Sequence, residues 1–126
     1  MAPSFEDVDL LARLSQFTDA DLDDLDFGVI GFDADTQVTR FNTFESKIAE
    51  MLPQRVLGRL LFTVVAPCMN NFLVAQHFED ATAQGVELDV VLDYVLTLRM
   101  RPKKVTLRLL ASPADPIRYV LVQRRD

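Results

Sequence analysis

Across residues 87–99 apolar and polar side chains take turns: Leu88, Val90, Leu92, Tyr94, Leu96 and Leu98 alternate with Glu87, Asp89, Val91, Asp93, Val95, Thr97 and Arg99. A period of two sustained this long puts the first set on one face of an extended strand. Such a strand needs a sheet beside it and a layer to bury its apolar face. Met100, Arg101, Pro102 and Lys103 form a turn, after which Val105, Leu107 and Leu109 alternate with Lys104, Thr106 and Arg108. A longer loop over residues 111–116 leads to a last strand at 117–123. The C-terminal third therefore reads as three antiparallel strands.

Two more strands lie upstream. Residues 27–32, Phe-Gly-Val-Ile-Gly-Phe, and 37–41 flank the turn-prone Asp33-Ala34-Asp35-Thr36, which predicts a hairpin. Ahead of it, Ser4 is a candidate cap with Asp7 in its first turn and Val8, Leu11, Leu14 and Ser15 at helical spacing. Thr18 is a second cap, followed by Asp19 and Asp21, with Leu22 and Leu25 as anchors. After the hairpin, Asn42 or Thr43 caps a short helix over residues 44–51 that stops near Pro53. Asn70 and Asn71 are cap candidates for a longer helix running from Phe72 to a C-cap at Gly85. The sum is an α+β domain: a five-stranded antiparallel sheet with short helices on one side and the N-terminal helix pair covering the other.

The chain has 126 residues, one domain's worth, and no apolar run long enough for a membrane span. Its net charge of −6 argues against nucleic acid and anionic membranes as partners. A single cysteine and the lack of a visible signal peptide fit a cytoplasmic protein. Acidic residues crowd at Asp19, Asp21, Asp23, Asp24 and Asp26, and basic ones in the C-terminal third. Both read as solvated faces, or as a polarised surface for a partner protein.

Chemistry is confined to few residues. There is no phosphate-binding loop, no Ser-His-Asp grouping and no metal-ligand spacing, and His77 reads as a plain helix residue. No enzymatic activity is expected. Cys68 follows Pro67 where a segment stops and turns. It is open to two readings, a small buried structural cysteine or a covalent attachment point beside an apolar run. Glu45 lies among Phe44, Ile48 and Ala49. It is either a partly exposed helix residue or a buried carboxyl that keeps its proton.

Several short pieces now converge: Phe27-Gly28 with Ile30, Asn42, Glu45, Pro53 with Val56, Gly58 and Phe62, then Val65-Ala66-Pro67-Cys68, Tyr94, Met100 with Pro102, and Lys104-Val105. In this order and in a chain of this length they resemble the photoactive yellow protein family of the PAS sensor superfamily, end to end. The resemblance implies a single PAS domain over residues 1–126, with 1–26 as an N-terminal cap and 27–126 as the core. It implies a 4-hydroxycinnamic acid thioester on Cys68 and a proton donor at Glu45. Light would isomerise the chromophore, move that proton and loosen the cap, signalling to a separate, unidentified protein. Phe41, Ala49, Met51, Tyr94, Leu96 and Met100 would line the pocket.

The departures are specific. Phe41, Ala49 and Met51 stand where the family has a phenolate-binding tyrosine, its supporting threonine and a shielding arginine. Leu61, Leu96 and Tyr119 replace other aromatic residues. Each hydrogen bond to an ionised oxygen is worth about 1.5–3 kcal/mol, so an anionic ring is less favoured here. Two readings stay open: a sensor with a raised chromophore pKa, or a light-insensitive PAS module carrying another acyl thioester, or none, for a partner.

Overall fold

The computed structural model describes residues 3–97 and 102–125. Leu98, Arg99, Met100 and Arg101, the end of the predicted strand and the start of the turn after it, lie outside the described residues. Five strands form one antiparallel sheet: β1 (Gly28–Phe32), β2 (Val38–Phe41), β3 (Leu88–Leu96), β4 (Lys103–Ala111) and β5 (Arg118–Arg124), in the order β2-β1-β5-β4-β3. The predicted hairpin is present, with Ile30 opposite Phe41 and Gly31 opposite Arg40. Its turn is closed by Asp33, whose Oδ1 accepts from the Asp35 and Gln37 N–H groups at 2.9 and 3.0 Å.

Period two sorts the sheet into two cores. Ile30, Phe32, Leu88, Tyr94, Leu96, Val105, Leu107, Leu109, Val120 and Val122 face one apolar cluster. Val29, Leu110, Tyr119 and Leu121 face a second one, with Phe5, Leu10, Leu14, Leu22, Leu25 and Phe27. The N-terminal helices α1 (Leu10–Gln16) and α2 (Asp19–Asp23) therefore cover the second face. Over the first face lie α3 (Thr43–Ala49), α4 (Pro53–Val56) and α5 (Ala75–Gln84).

Helix boundaries depart from the sequence reading at three places. Ser4 and Asp7 close a turn of their own, with the Ser4 N–H donating to Asp7 Oδ2 at 2.9 Å, and α1 begins only at Leu10. Val8 consequently lies off the apolar stripe, 94% exposed. Asn71 spends its side chain on a turn, accepting from the Leu73 and Val74 N–H groups, so α5 starts at Ala75 and Phe72 is left exposed. Helix α3 ends at Ala49 because Glu50 takes a left-handed conformation, φ 56°. Elsewhere the caps are as expected. Thr18 and Asp21 form a reciprocal capping box, and Gly85, φ 63°, closes α5.

Between α4 and α5 the chain forms a π-helical turn, Leu61–Val65, and a 3-10 turn, Pro67–Met69. Phe62 of the π turn meets Phe32 edge-on at 5.4 Å, and Phe32 meets Phe78 of α5 at 4.9 Å. This three-ring stack pins the irregular segment between strand and helix.

Candidate functional site

Cys68 sits in the 3-10 turn, partly buried, its side chain packed against the first apolar cluster. Its backbone is fixed from two directions. The Tyr94 hydroxyl donates to the Cys68 carbonyl at 2.5 Å, and Asn71 Nδ2 donates to the Tyr94 hydroxyl at 2.6 Å. Asn71 Nδ2 also reaches the Cys68 carbonyl at 3.3 Å. The turn presenting the thiol is closed by its own bonds, Met69 N–H to the Ala66 carbonyl and Asn70 N–H to the Pro67 carbonyl, and anchored at the Cys68 carbonyl from β3 and the loop beyond. Tyr94 thus tethers the turn that carries the cysteine.

The same cluster contains Phe41, Ala49, Tyr94 and Leu96, with Met51 packed against its edge. Cys68 and the described residues expected around it therefore share one apolar environment. Beside Met51 the surface opens into a groove of about 530 Å³ lined by Glu50, Met51, Leu52, Arg55, Val56, Val64 and Val65. Val56 and Val65 belong to the cluster as well, so the cluster forms part of the groove's wall.

Glu45 lies on α3 four residues before Ala49, on the same helical face. It is 1% exposed, and its Oε1 has no hydrogen-bond partner among the described residues. The local chemistry explains why. Asn42 and Glu45 have the N-cap and N3 spacing of a capping box, and Asn42 Oδ1 accepts from the Glu45 N–H at 3.0 Å. The reciprocal bond would need the Asn42 N–H, which is already taken by the Val29 carbonyl at 3.2 Å. Thr18 and Asp21 make both bonds at the same spacing; Asn42 and Glu45 make one. The carboxyl turns inward instead, against Gly28 of β1.

Burial pushes the Glu45 carboxyl up to about 8, and the Lys103 ammonium offsets only part of that rise. Near neutral pH the group is therefore mostly protonated. Lys103 itself, at the start of β4, donates to the Ile48 carbonyl in the last turn of α3 at 2.6 Å. Sequence reading assigned Lys103 to a turn and missed this contact.

Asn42, a cap candidate by residue type and one of the pieces that carry the family resemblance, satisfies all four of its side-chain bonds. Its Oδ1 accepts from Val29 N–H (2.9 Å) as well as Glu45 N–H, and its Nδ2 donates to the Leu22 and Phe27 carbonyls at 2.9 and 3.0 Å. It joins the helix bearing Glu45 to the N-terminal cap and to β1. Cap spacing revealed one of these bonds; the other three needed the fold.

A five-stranded antiparallel sheet with short helices over one face and irregular turns beside them is the PAS fold. A quorum-sensing receptor PAS domain from Cronobacter turicensis superimposes with a TM-score of 0.62 at 13% identity, covering 82% of this chain and 97% of that one. More closely, the photoactive yellow protein of Halochromatium salexigens is 31% identical over 116 residues, 92% of either chain. The photoactive yellow protein domain of the sensor histidine kinase Ppr from Rhodospirillum centenum superimposes with a TM-score of 0.82 at 30% identity, covering 90% of this chain and 98% of that one. The chain belongs to the photoactive yellow protein family. No family model matches it.

Proposed function

We propose that this PAS domain is a light sensor of the photoactive yellow protein type, with Cys68 as the acyl attachment site and Glu45 as its proton donor. The observation that carries this reading is Glu45: a buried, mostly protonated carboxyl whose Oε1 has no partner among the described residues. An orphaned buried oxygen costs about 1–3 kcal/mol. A ligand oxygen at Glu45 would remove that cost.

The residues fit a hydroxycinnamoyl group in two respects and depart in one. The thiol is partly buried against an apolar cluster, and Glu45 offers a hydrogen-bond donor. Phe41 and Ala49 have no hydroxyl to add to it. Attachment would transfer the acyl group from an activated donor, a thioester or anhydride, to Cys68 Sγ; the thiol proton leaves with the displaced group. When bound, the hydroxycinnamoyl thioester supplies light absorption and isomerisation about its double bond. The chain's own part is to hold the acyl end through the Tyr94-fixed turn, to exclude water with Phe41, Leu96 and Ala49, and to give a proton from Glu45. Met100 would complete the lining. The output would be a loosening of the N-terminal cap through Asn42, read by a separate protein.

A second reading rests on Met51 and the open groove beside it: a light-insensitive module carrying a longer or different acyl group on the same thiol. Mixing the protein with activated 4-hydroxycinnamic acid separates the two. The sensor reading expects a mass adduct on Cys68 and a visible band that bleaches and recovers. An adduct without a photocycle, or no adduct, overturns it.

A further inference from the structure

Gly28 is a glycine for which backbone conformation gives no reason. It is the first residue of β1, paired with Val122 of β5, and it is not among the residues with positive φ. A strand gains nothing from glycine itself, which has no side chain to pack. The reason lies above the strand. A side-chain carbon built on Gly28 would overlap Glu45 Oε1 outright, and would stand 3.1 Å from Glu45 Cδ and 3.2 Å from Glu45 Cβ. The space that a side chain would fill is filled by the Glu45 carboxyl.

We propose that Gly28 is a positioning residue for Glu45: its missing side chain is the recess in which the carboxyl lies, and the recess decides which way the carboxyl faces. Two neighbours close the alternatives. The Asn42 N–H is held by Val29, so the reciprocal capping bond is closed to the carboxyl. The Lys103 ammonium, the charge acting on Glu45 among the described residues, is engaged by the Ile48 carbonyl. Glu45 Cβ is fixed by the α3 backbone, so a methyl on Gly28 cannot be met by side-chain rotation near Cβ. It displaces the carboxyl from the recess, and movement toward water or Lys103 favours the ionised form. Use of the carboxyl toward a bound ligand rests on the function proposed above; the recess does not.

The test is made on the ligand-free protein, so that it stands apart from any photocycle. Glu45 is followed by carbon-13 NMR of its carboxyl carbon across a pH titration, in the wild type, Gly28→Ala and Gly31→Ala. Gly31 is in the same strand, but a methyl there meets Arg40 and Ile117 instead. The Gly28→Ala midpoint falls by a unit or more, while Gly31→Ala leaves it in place. An unchanged or raised midpoint in a folded Gly28→Ala overturns the proposal, as does an equal fall in Gly31→Ala. If Gly28→Ala does not fold, Gly28→Ala with Glu45→Ala decides. Recovery of the fold supports the recess, because the overlapping group has been removed. Failure of the double variant overturns it.

Discussion

Glu45 links the site to stability through its proton. Its ordinary value of 4.5 rises to about 8 in the folded chain because burial disfavours the anion. The unfolded chain gives up this proton above about pH 4.5, while the folded chain keeps it to about pH 8. The folded state thus binds more protons in that interval, and its contribution is fully present below pH 4.5 and lost as pH rises through 8. Urea denaturation between pH 5 and 9 should show stability falling by up to about 1.4 kcal/mol per unit over the lower part of this range and levelling near the top. Glu45→Gln should flatten that slope. A slope equal in both proteins would mean that Glu45 is not the group titrating. The residues of the site were unequally legible in the sequence. A carboxyl among apolar neighbours was visible at Glu45, and Cys68 stood out as the lone thiol after a proline. The recess at Gly28, the tether from Tyr94 to the Cys68 carbonyl and the reach of Lys103 to α3 join residues far apart in the chain. No local pattern encodes such contacts.

At the scale of elements, the N-terminal cap is held by cations on its carbonyls as well as by its apolar face. Arg108 of β4, only 5% exposed, donates to the Phe5 and Asp7 carbonyls at 2.7 and 2.8 Å while its other nitrogens hold Asp89 at 2.9 Å. Arg40 of β2 donates to the Leu14 carbonyl at 2.9 Å, to the Phe17 carbonyl, and to the Tyr119 hydroxyl at 2.9 Å. Arg108→Met keeps most of the volume and strips two carbonyls of their partner. It should cost about 2–3 kcal/mol, and limited proteolysis should cut first around residues 3–16, with the sheet intact. Cutting spread over β3 to β5 would show that Arg108 supports the sheet rather than the cap. Strands were the easier elements to read because a period of two survives local irregularity; β3, β4 and β5 appeared almost where alternation put them. Helix starts were harder. Ser4 and Asn71 both have the residue type of a cap, and both close turns instead. Side-chain oxygens that cap a helix serve a turn equally well, so residue type alone does not separate the two. The π turn at Leu61–Val65 has no sequence signature; its packing against Phe32 and Phe78 selects it.

For the whole molecule, burial on both faces should set the order of local opening. β1 is buried at every position, and β5 from Tyr119 to Val122. On the edge strand β3, Asp89, Val91, Asp93 and Val95 are open to water. Amide exchange should therefore be slowest in β1, β5 and the middle of β4 and at least tenfold faster in β3; equal protection in β3 would point to a partner or second copy covering that edge. The sheet order carries one more consequence. β5, the strand with the highest numbers, lies between β1 and β4 at the centre of the sheet. A chain leaving the ribosome has the β1–β2 hairpin and the β3–β4 pair as separate halves until β5 emerges to join them. Cys68 is made long before that moment, yet the cluster that surrounds it draws on Val120 and Val122 of the same strand. The apolar environment of Cys68 is therefore complete only once β5 has joined the two halves of the sheet.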